Sequence, residues 1–415
     1  VCEGGEDETS CPQDCTADNC GNGICESNEN PTSCADDCSE TKKVDLLFLI
    51  DNSGSMQNEQ DQLISAFPLF YSALKDSLEV MPDLHVGAVT PDLGTGSYTS
   101  IRTCEEYGGD KGILGKTGNA NLGEACLGTG QRYMVDLEPE GCTINRNSVD
   151  NCIDHDCSQN HCDAMAEGNE VLTLVDDENG CPRCRNFSST PADAFSCLAQ
   201  LGIEGCGFEQ QLEAMHLALN EEETPENDGF LRDDALLVVV ILTDEDDCSA
   251  SRPDIIFDPD PNSNSIDSVL GFLHSFRCFE FGVTCDINDR NQMGVRQDCV
   301  PRDDDQAFLH SIDRYGQFIN TLRDPGRVVV AAIAGPVPME ITVQMDDQNR
   351  PEVAPSCVDS TATGAIPGIR IEAFASLFNS PAALGGWAYA SVCANSFEST
   401  MQALGLEIAD RLGQQ

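Results

Sequence analysis

Positive charge is scarce in this 415-residue sequence. Only 22 Lys and Arg stand against 72 Asp and Glu, giving a formal net charge of -50, and the lysines are just Lys42, Lys43, Lys75, Lys111 and Lys116. Binding a polyanion relies on clustered cations that release its counterions, so no nucleic-acid partner is expected and an anionic membrane surface is disfavoured. Long apolar runs are missing too. Leu236–Leu242 is among the most apolar stretches, yet its seven residues fall far short of the roughly 20 that a membrane-spanning helix needs. No direct membrane insertion is expected. The six His are scattered, without a His-Glu-x-x-His pair, and there is no Gly-x-Ser-x-Gly elbow. No standard hydrolase arrangement is visible, and the protein is not expected to be an enzyme.

Acid and cysteine are what the sequence has in quantity. Its 23 cysteines, in a chain that is 40% apolar and long enough to build a substantial core, point to disulfides and an oxidising compartment. An exported protein, extracellular or at the cell surface, is the expectation. No basic segment followed by an apolar run opens the chain, so any signal peptide is expected to have been removed. The acidity suits a salty environment, where screening relieves self-repulsion, and equally suits neutralisation by bound divalent cations.

A repeat with a 23-residue period occupies residues 1–40. Cys2, Cys11 and Cys15 recur as Cys25, Cys34 and Cys38, and Glu3, Glu6 and Asp14 recur as Glu26, Glu29 and Asp37. The second copy has a lead-in, Cys20-Gly21-Asn22-Gly23, whose counterpart would lie before Val1; a cysteine there would make the total even. Segments this short cannot bury a core, so disulfides, aided by Ca²⁺ on the interleaved acids, would hold a stalk-like tandem module.

From Val44 strands alternate with helices. The runs 44–50, 84–89, 235–243, 328–334 and 387–392 read as strands, and 191–201, 209–219 and 307–322 as helices. Two more helices carry Leu63, Phe67, Phe70, Leu74 and Leu78, with Pro68 bending the first, and Phe397, Met401, Leu404, Ile408 and Leu412, with Asn395 as cap. This alternation predicts an α/β fold over residues 43–415, a doubly wound and mostly parallel sheet with any site at the carboxyl ends of its strands. Between about 93 and 190 the pattern gives way to a Cys-, Gly- and Asn-rich insertion, expected to be disulfide-stapled and to overhang the site.

The sharpest motif is Asp51-Asn52-Ser53-Gly54-Ser55, directly after the apolar strand ending at Ile50. One carboxylate and two hydroxyls, two residues apart on a turn, can converge on a hard divalent cation, which prefers oxygen ligands. The bland alternative is that they cap the following helix. A matching element, Thr243-Asp244-Glu245-Asp246-Asp247, ends the strand Leu236–Leu242.

Together these residues resemble the von Willebrand factor A (integrin I-like) family, over about Lys43 to Leu412 without the insertion. The wording Leu242–Ser249, Arg277–Gly282 and Ser391-Val392-Cys393 is similar to a cysteine-rich A-domain group from surface proteins of deltaproteobacteria, including myxobacteria. The resemblance implies a metal-ion-dependent adhesion site (MIDAS) holding Mg²⁺, Ca²⁺ or Mn²⁺. Ser53 and Ser55 would bind by their hydroxyls, and Asp51 and Asp244 directly or through water. An open coordination position would accept a carboxylate from a partner, which is binding rather than catalysis. The family's Thr, counted back from Ala214-Met215, is replaced by Glu209, which adds charge and puts ligand-dependent switching in doubt. Thr90 and Asp92 are further candidates for the rim.

Three weaker patterns remain. Asp258, Asp260, Asn262, Asn264 and Asp267 place oxygen side chains at near-alternate positions, a partial calcium-loop pattern lacking the central Gly and final Glu. His155, Cys157, His161, Cys162, Cys181 and Cys184 could be drawn as a zinc site, but in an oxidising compartment the thiols are expected to pair. Gly115-Lys116-Thr117 lacks the first Gly of a phosphate loop, Asp110 standing there instead. The expected function is metal-dependent adhesion to a protein or glycan. The alternative is a structural subunit of an extracellular filament or surface layer, self-assembling around a structural metal.

Overall fold

Val44, Leu46, Phe48 and Ile50 alternate with Leu47 and Leu49, and all six are fully buried. A strand apolar on both sides needs cover on both faces, and the computed structural model, which describes residues 42–413 except 79, 149–150, 167–169, 261, 263 and 305–306, supplies it. The tandem repeats of residues 1–40 lie outside the described residues.

The central sheet has eight strands: β1 (Lys43–Ile50), β2 (Asp83–Val89), β3 (Met134–Leu137), β4 (Thr173–Asp176), β5 (Pro182–Arg185), β6 (Leu236–Leu242), β7 (Val328–Ala334) and β8 (Tyr389–Ser391). Their order is β8-β7-β6-β1-β2-β3-β5-β4. The first five in that order are mutually parallel; β3, β5 and β4 each run antiparallel to the neighbour before. The fold is thus mixed α/β around a large, mostly parallel sheet.

Helices α1 (Gln57–Ser77), α2 (Pro191–Leu198) and α6 (Glu398–Gly413) cover one face, where Phe67, Phe70, Phe195, Met401 and Leu404 meet Phe48 and Val240. On the other, α3 (Gln211–Ala218), α4 (Ile312–Leu322) and α5 (Ile369–Ser376) bring Leu212, Tyr315 and Phe374 against Leu47, Val239 and Val330. Gly405 lets α6 lie close on α1: a Cβ there would come 2.7 Å from the Phe70 carbonyl oxygen. Pro68 sits on the exposed side of α1, which runs on to Ser77.

Boundaries differ from the sequence reading where tertiary bonds intervene. Leu309 bridges Ala250, so α4 starts at Ile312 instead of near Ala307. The hydroxyl of Ser396, not Asn395, accepts from the Glu398 amide at the start of α6. The Cys-rich segment divides its work. Its first part stays at the carboxyl ends of the strands, while β3, β4 and β5 extend the sheet. The outer edge of β4 is capped by one side-chain amide: Gln159 Nε2 donates to the Leu172 carbonyl (2.8 Å) and its Oε1 accepts from the Leu174 amide (3.1 Å). That pairing occupies backbone groups that an edge strand otherwise offers to another chain.

Eight disulfides, 104–206, 126–197, 142–157, 152–181, 162–184, 248–278, 285–299 and 357–393, pair every cysteine among the described residues. Such a set belongs to an oxidising, extracellular environment. Among the described residues no helix is long and apolar enough to cross a membrane.

Candidate metal centre

β1 lies between β2 and β6, so the connections leaving β1 and β6 diverge, and their carboxyl ends form the switch point where open parallel sheets place their binding sites. Asp51 and Asp244 stand at that switch point. The Asp51 amide continues the ladder to the Leu242 carbonyl (2.9 Å). Asp51 is fully buried and Asp244 is 5% exposed.

Local bonds set the Asp51 carboxylate. Its Oδ1 accepts from the Ser53 amide (2.7 Å) and its Oδ2 from the Thr243 hydroxyl (2.7 Å). Gln211 Nε2 donates to that hydroxyl (2.9 Å), and Gln60 Nε2 donates to the Asp51 carbonyl (2.8 Å). The Ser53 and Ser55 hydroxyls are 3.4 Å apart, and Ser55 lies beside the Asp244 carboxylate. Ser53 is buried while Gly54 and Ser55 are exposed, so the cluster opens to solvent on their side.

Glu209, 2% exposed, joins from the loop before α3. It lies close enough to Glu245 and Asp51 to feel both charges. The Asn52 carbonyl accepts from the Gly205 amide (2.8 Å), and a Cβ on Gly205 would lie 2.2 Å from Asn52 Oδ1, so this approach needs glycine. Cys206, bonded to Cys104, ties the same loop to the Cys-rich segment.

Negative charge here lacks compensation. Burial pushes Asp51 up to about 6 despite the bonds from Thr243 and Ser53. Burial, then repulsion from Asp51, pushes Asp244 up to about 7. Burial, then Glu245 and Asp51, raises Glu209 well above the usual carboxylate range. Asp244 Oδ1 and Glu209 Oε1 are buried without a hydrogen-bond partner, a costly state for carboxylate oxygens. Among the described residues, no three His, Cys, Asp or Glu side chains form a ligand array by themselves. The donors gathered here are mixed hydroxyl and carboxylate oxygens, which suit Mg²⁺, Ca²⁺ or Mn²⁺ rather than a thiolate-preferring metal.

Most of the remaining sequence candidates have hydrogen-bond partners of their own. Thr90 donates to Asp110 (2.7 Å), and Asp92 accepts from the Gly94 and Cys206 amides (2.9 and 3.1 Å). Both brace the adjoining loop. In the acidic run after Asp244, Asp246 accepts from the Arg370 amide (2.9 Å) at the start of α5. Asp247 forms a buried ion pair with the Arg370 guanidinium (3.0 Å). Asp258 and Asp260 accept from amides two residues on (3.0 and 2.8 Å), and Asn264 from the Leu273 amide (2.8 Å), leaving Asn262 and Asp267 exposed on the same loop. Cys157, Cys162, Cys181 and Cys184 are all in disulfides. Sequence reasoning did not find Gln60 and Gln211, whose amides orient the site. Polar residues inside two helices gave no signal of it.

No protein-family model matches the sequence, and no curated protein matches it.

Proposed function

We propose that this is an extracellular adhesion module of the von Willebrand factor A kind, binding a protein or glycan through a divalent cation. Ser53 and Ser55 would contribute hydroxyls to the ion, and Asp51 and Asp244 carboxylates, Asp51 through water because both its oxygens already accept hydrogen bonds. The ion would supply an acceptor position for a partner's oxygen. The observation that carries the reading is the cluster at the carboxyl ends of β1 and β6, where buried carboxylates with partnerless oxygens stand beside two hydroxyls. Exposure of Ser55 supports a site reachable from outside.

Glu209 favours a second reading. A buried carboxylate on the rim can fill the position that a partner would use, leaving the ion to fix the fold of a filament or surface-layer subunit.

Calorimetric titration of the metal-stripped protein with Mg²⁺ and Ca²⁺ tests the site. Wild type is expected to bind one cation tightly and saturably, and Ser53→Ala/Ser55→Ala to lose that event while staying folded. Equal binding by the double variant sinks the assignment. Light scattering in the same titration separates the two readings, because growth in particle size on adding metal belongs to the assembling subunit.

A further inference from the structure

In the loop after β6, Asp258 is followed by Pro259. Asp258 and Pro259 are both half-buried, and Asp260, Asn262 and Asn264 beyond them are exposed. The Asp258 main-chain carbonyl accepts from Nη1 of Arg277 (3.0 Å), a guanidinium that is 1% exposed and also donates to the Ile256, Gly271 and Phe272 carbonyls. The Asp258 carboxylate is folded back as well, since its Oδ1 accepts from the Asp260 amide (3.0 Å) and closes a ring containing Asp258's own carbonyl carbon.

We propose that the Asp258–Pro259 bond is a self-cleavage site, with the Asp258 carboxyl as nucleophile and Arg277 as oxyanion stabiliser. A carboxyl oxygen of Asp258 bonds to its own main-chain carbonyl carbon, giving a five-membered ring. The negative charge that develops on the carbonyl oxygen falls against the buried guanidinium, where a fixed donor acts without reorganisation. The carbon–nitrogen bond then breaks, the carboxyl proton passes to the proline nitrogen, and Pro259 leaves as a secondary amine. Water opens the resulting cyclic anhydride, so one water is consumed and Asp258 becomes a new C-terminus. Proline is the right leaving group because its tertiary amide nitrogen is readily protonated. The nick falls inside the loop closed by the Cys248–Cys278 disulfide, so the two pieces stay covalently joined.

Asp324–Pro325 is an internal control. The Asp324 carbonyl takes the Arg327 backbone amide (2.8 Å), not a guanidinium.

The experiment is a time course on the full chain in chelator, at mildly acid and neutral pH, read by mass spectrometry before and after reduction. Wild type should gain one water when unreduced, and reduction should release fragments ending at Asp258 and beginning at Pro259. Asp258→Ala should abolish them. Native protein should cleave faster than urea-unfolded protein, which keeps the bond but loses Arg277, by on the order of 100-fold as for removal of one oxyanion donor. Arg277→Gln should slow cleavage similarly if it folds; the urea comparison does not depend on that variant. The proposal is overturned if wild type stays intact, if Asp258→Ala still releases the fragments, or if cleavage at Asp258–Pro259 is no faster folded than unfolded or no faster than at Asp324–Pro325.

Discussion

Replacing Asp244 by Asn should stabilise the metal-free protein at high pH, although it removes a residue of the candidate centre. Burial and the Asp51 charge carry the Asp244 carboxyl from 3.8 to about 7, which corresponds to about 4 kcal/mol of unfavourable charge above that range. Asp51 and Glu245 share the repulsion, so roughly 2 kcal/mol is expected for removing Asp244 alone. The sign follows from linkage: an acid raised in the folded state favours folding below about pH 4 and loses that contribution as pH rises through about 7. Metal-free Asp244→Asn should therefore exceed wild type in urea denaturation at pH 8 and converge with it towards pH 4. A saturating cation should reverse the order at pH 8, since occupancy at about 100 times the dissociation constant adds about 2.7 kcal/mol to the protein that binds it. If the metal-free variant is the weaker at pH 8, or if cation stabilises it as much as wild type, the charge argument is wrong.

Three further outcomes follow from the same contacts. Arg370→Ala strands the fully buried Asp247 and should cost about 3–5 kcal/mol, whereas the typical exposed ion pair is worth at most about 1 kcal/mol; thermal unfolding of both kinds of variant checks it. Gly205→Ala forces a Cβ into Asn52 and should weaken cation binding at least tenfold with smaller loss of stability, read by calorimetry; unchanged affinity would show that this close approach does not shape the site. Cys104→Ser/Cys206→Ser opens a link between residues 102 apart in sequence, so chain entropy predicts a loss of about 5 kcal/mol, measured as a shift in the urea midpoint.

The parts of the fold legible in the sequence are those buried on both faces. Val328–Ala334 is apolar throughout and forms a strand with those same bounds, and β1 and β6 were equally plain. β3 and β5 were hidden because their burial is bought with ion pairs: Asp136 on β3 meets Arg183 and Arg185 on β5 at 2.7 and 3.0 Å. No apolar period marks such strands. Helix α5 escaped for a related reason, since Arg370 near its start is fully buried only because Asp247, 123 residues away, receives it. At the candidate centre, Asp51, Ser53 and Ser55 were readable from local spacing alone. The neighbouring Asp244–Asp247 run was visible as charge, but its division between candidate centre, helix start and ion pair depends on partners brought from α3, α5 and the loop before α3.

The proposed function requires one divalent cation at the carboxyl ends of β1 and β6. A crystal soaked in Mn²⁺ and measured at the manganese absorption edge tests this most directly. A single strong anomalous peak bonded to the Ser53 and Ser55 hydroxyls, beside Asp51 and Asp244, is the predicted result. Manganese bound elsewhere on this acidic surface, with the cluster of Ser53 and Asp244 free of anomalous signal, would contradict it.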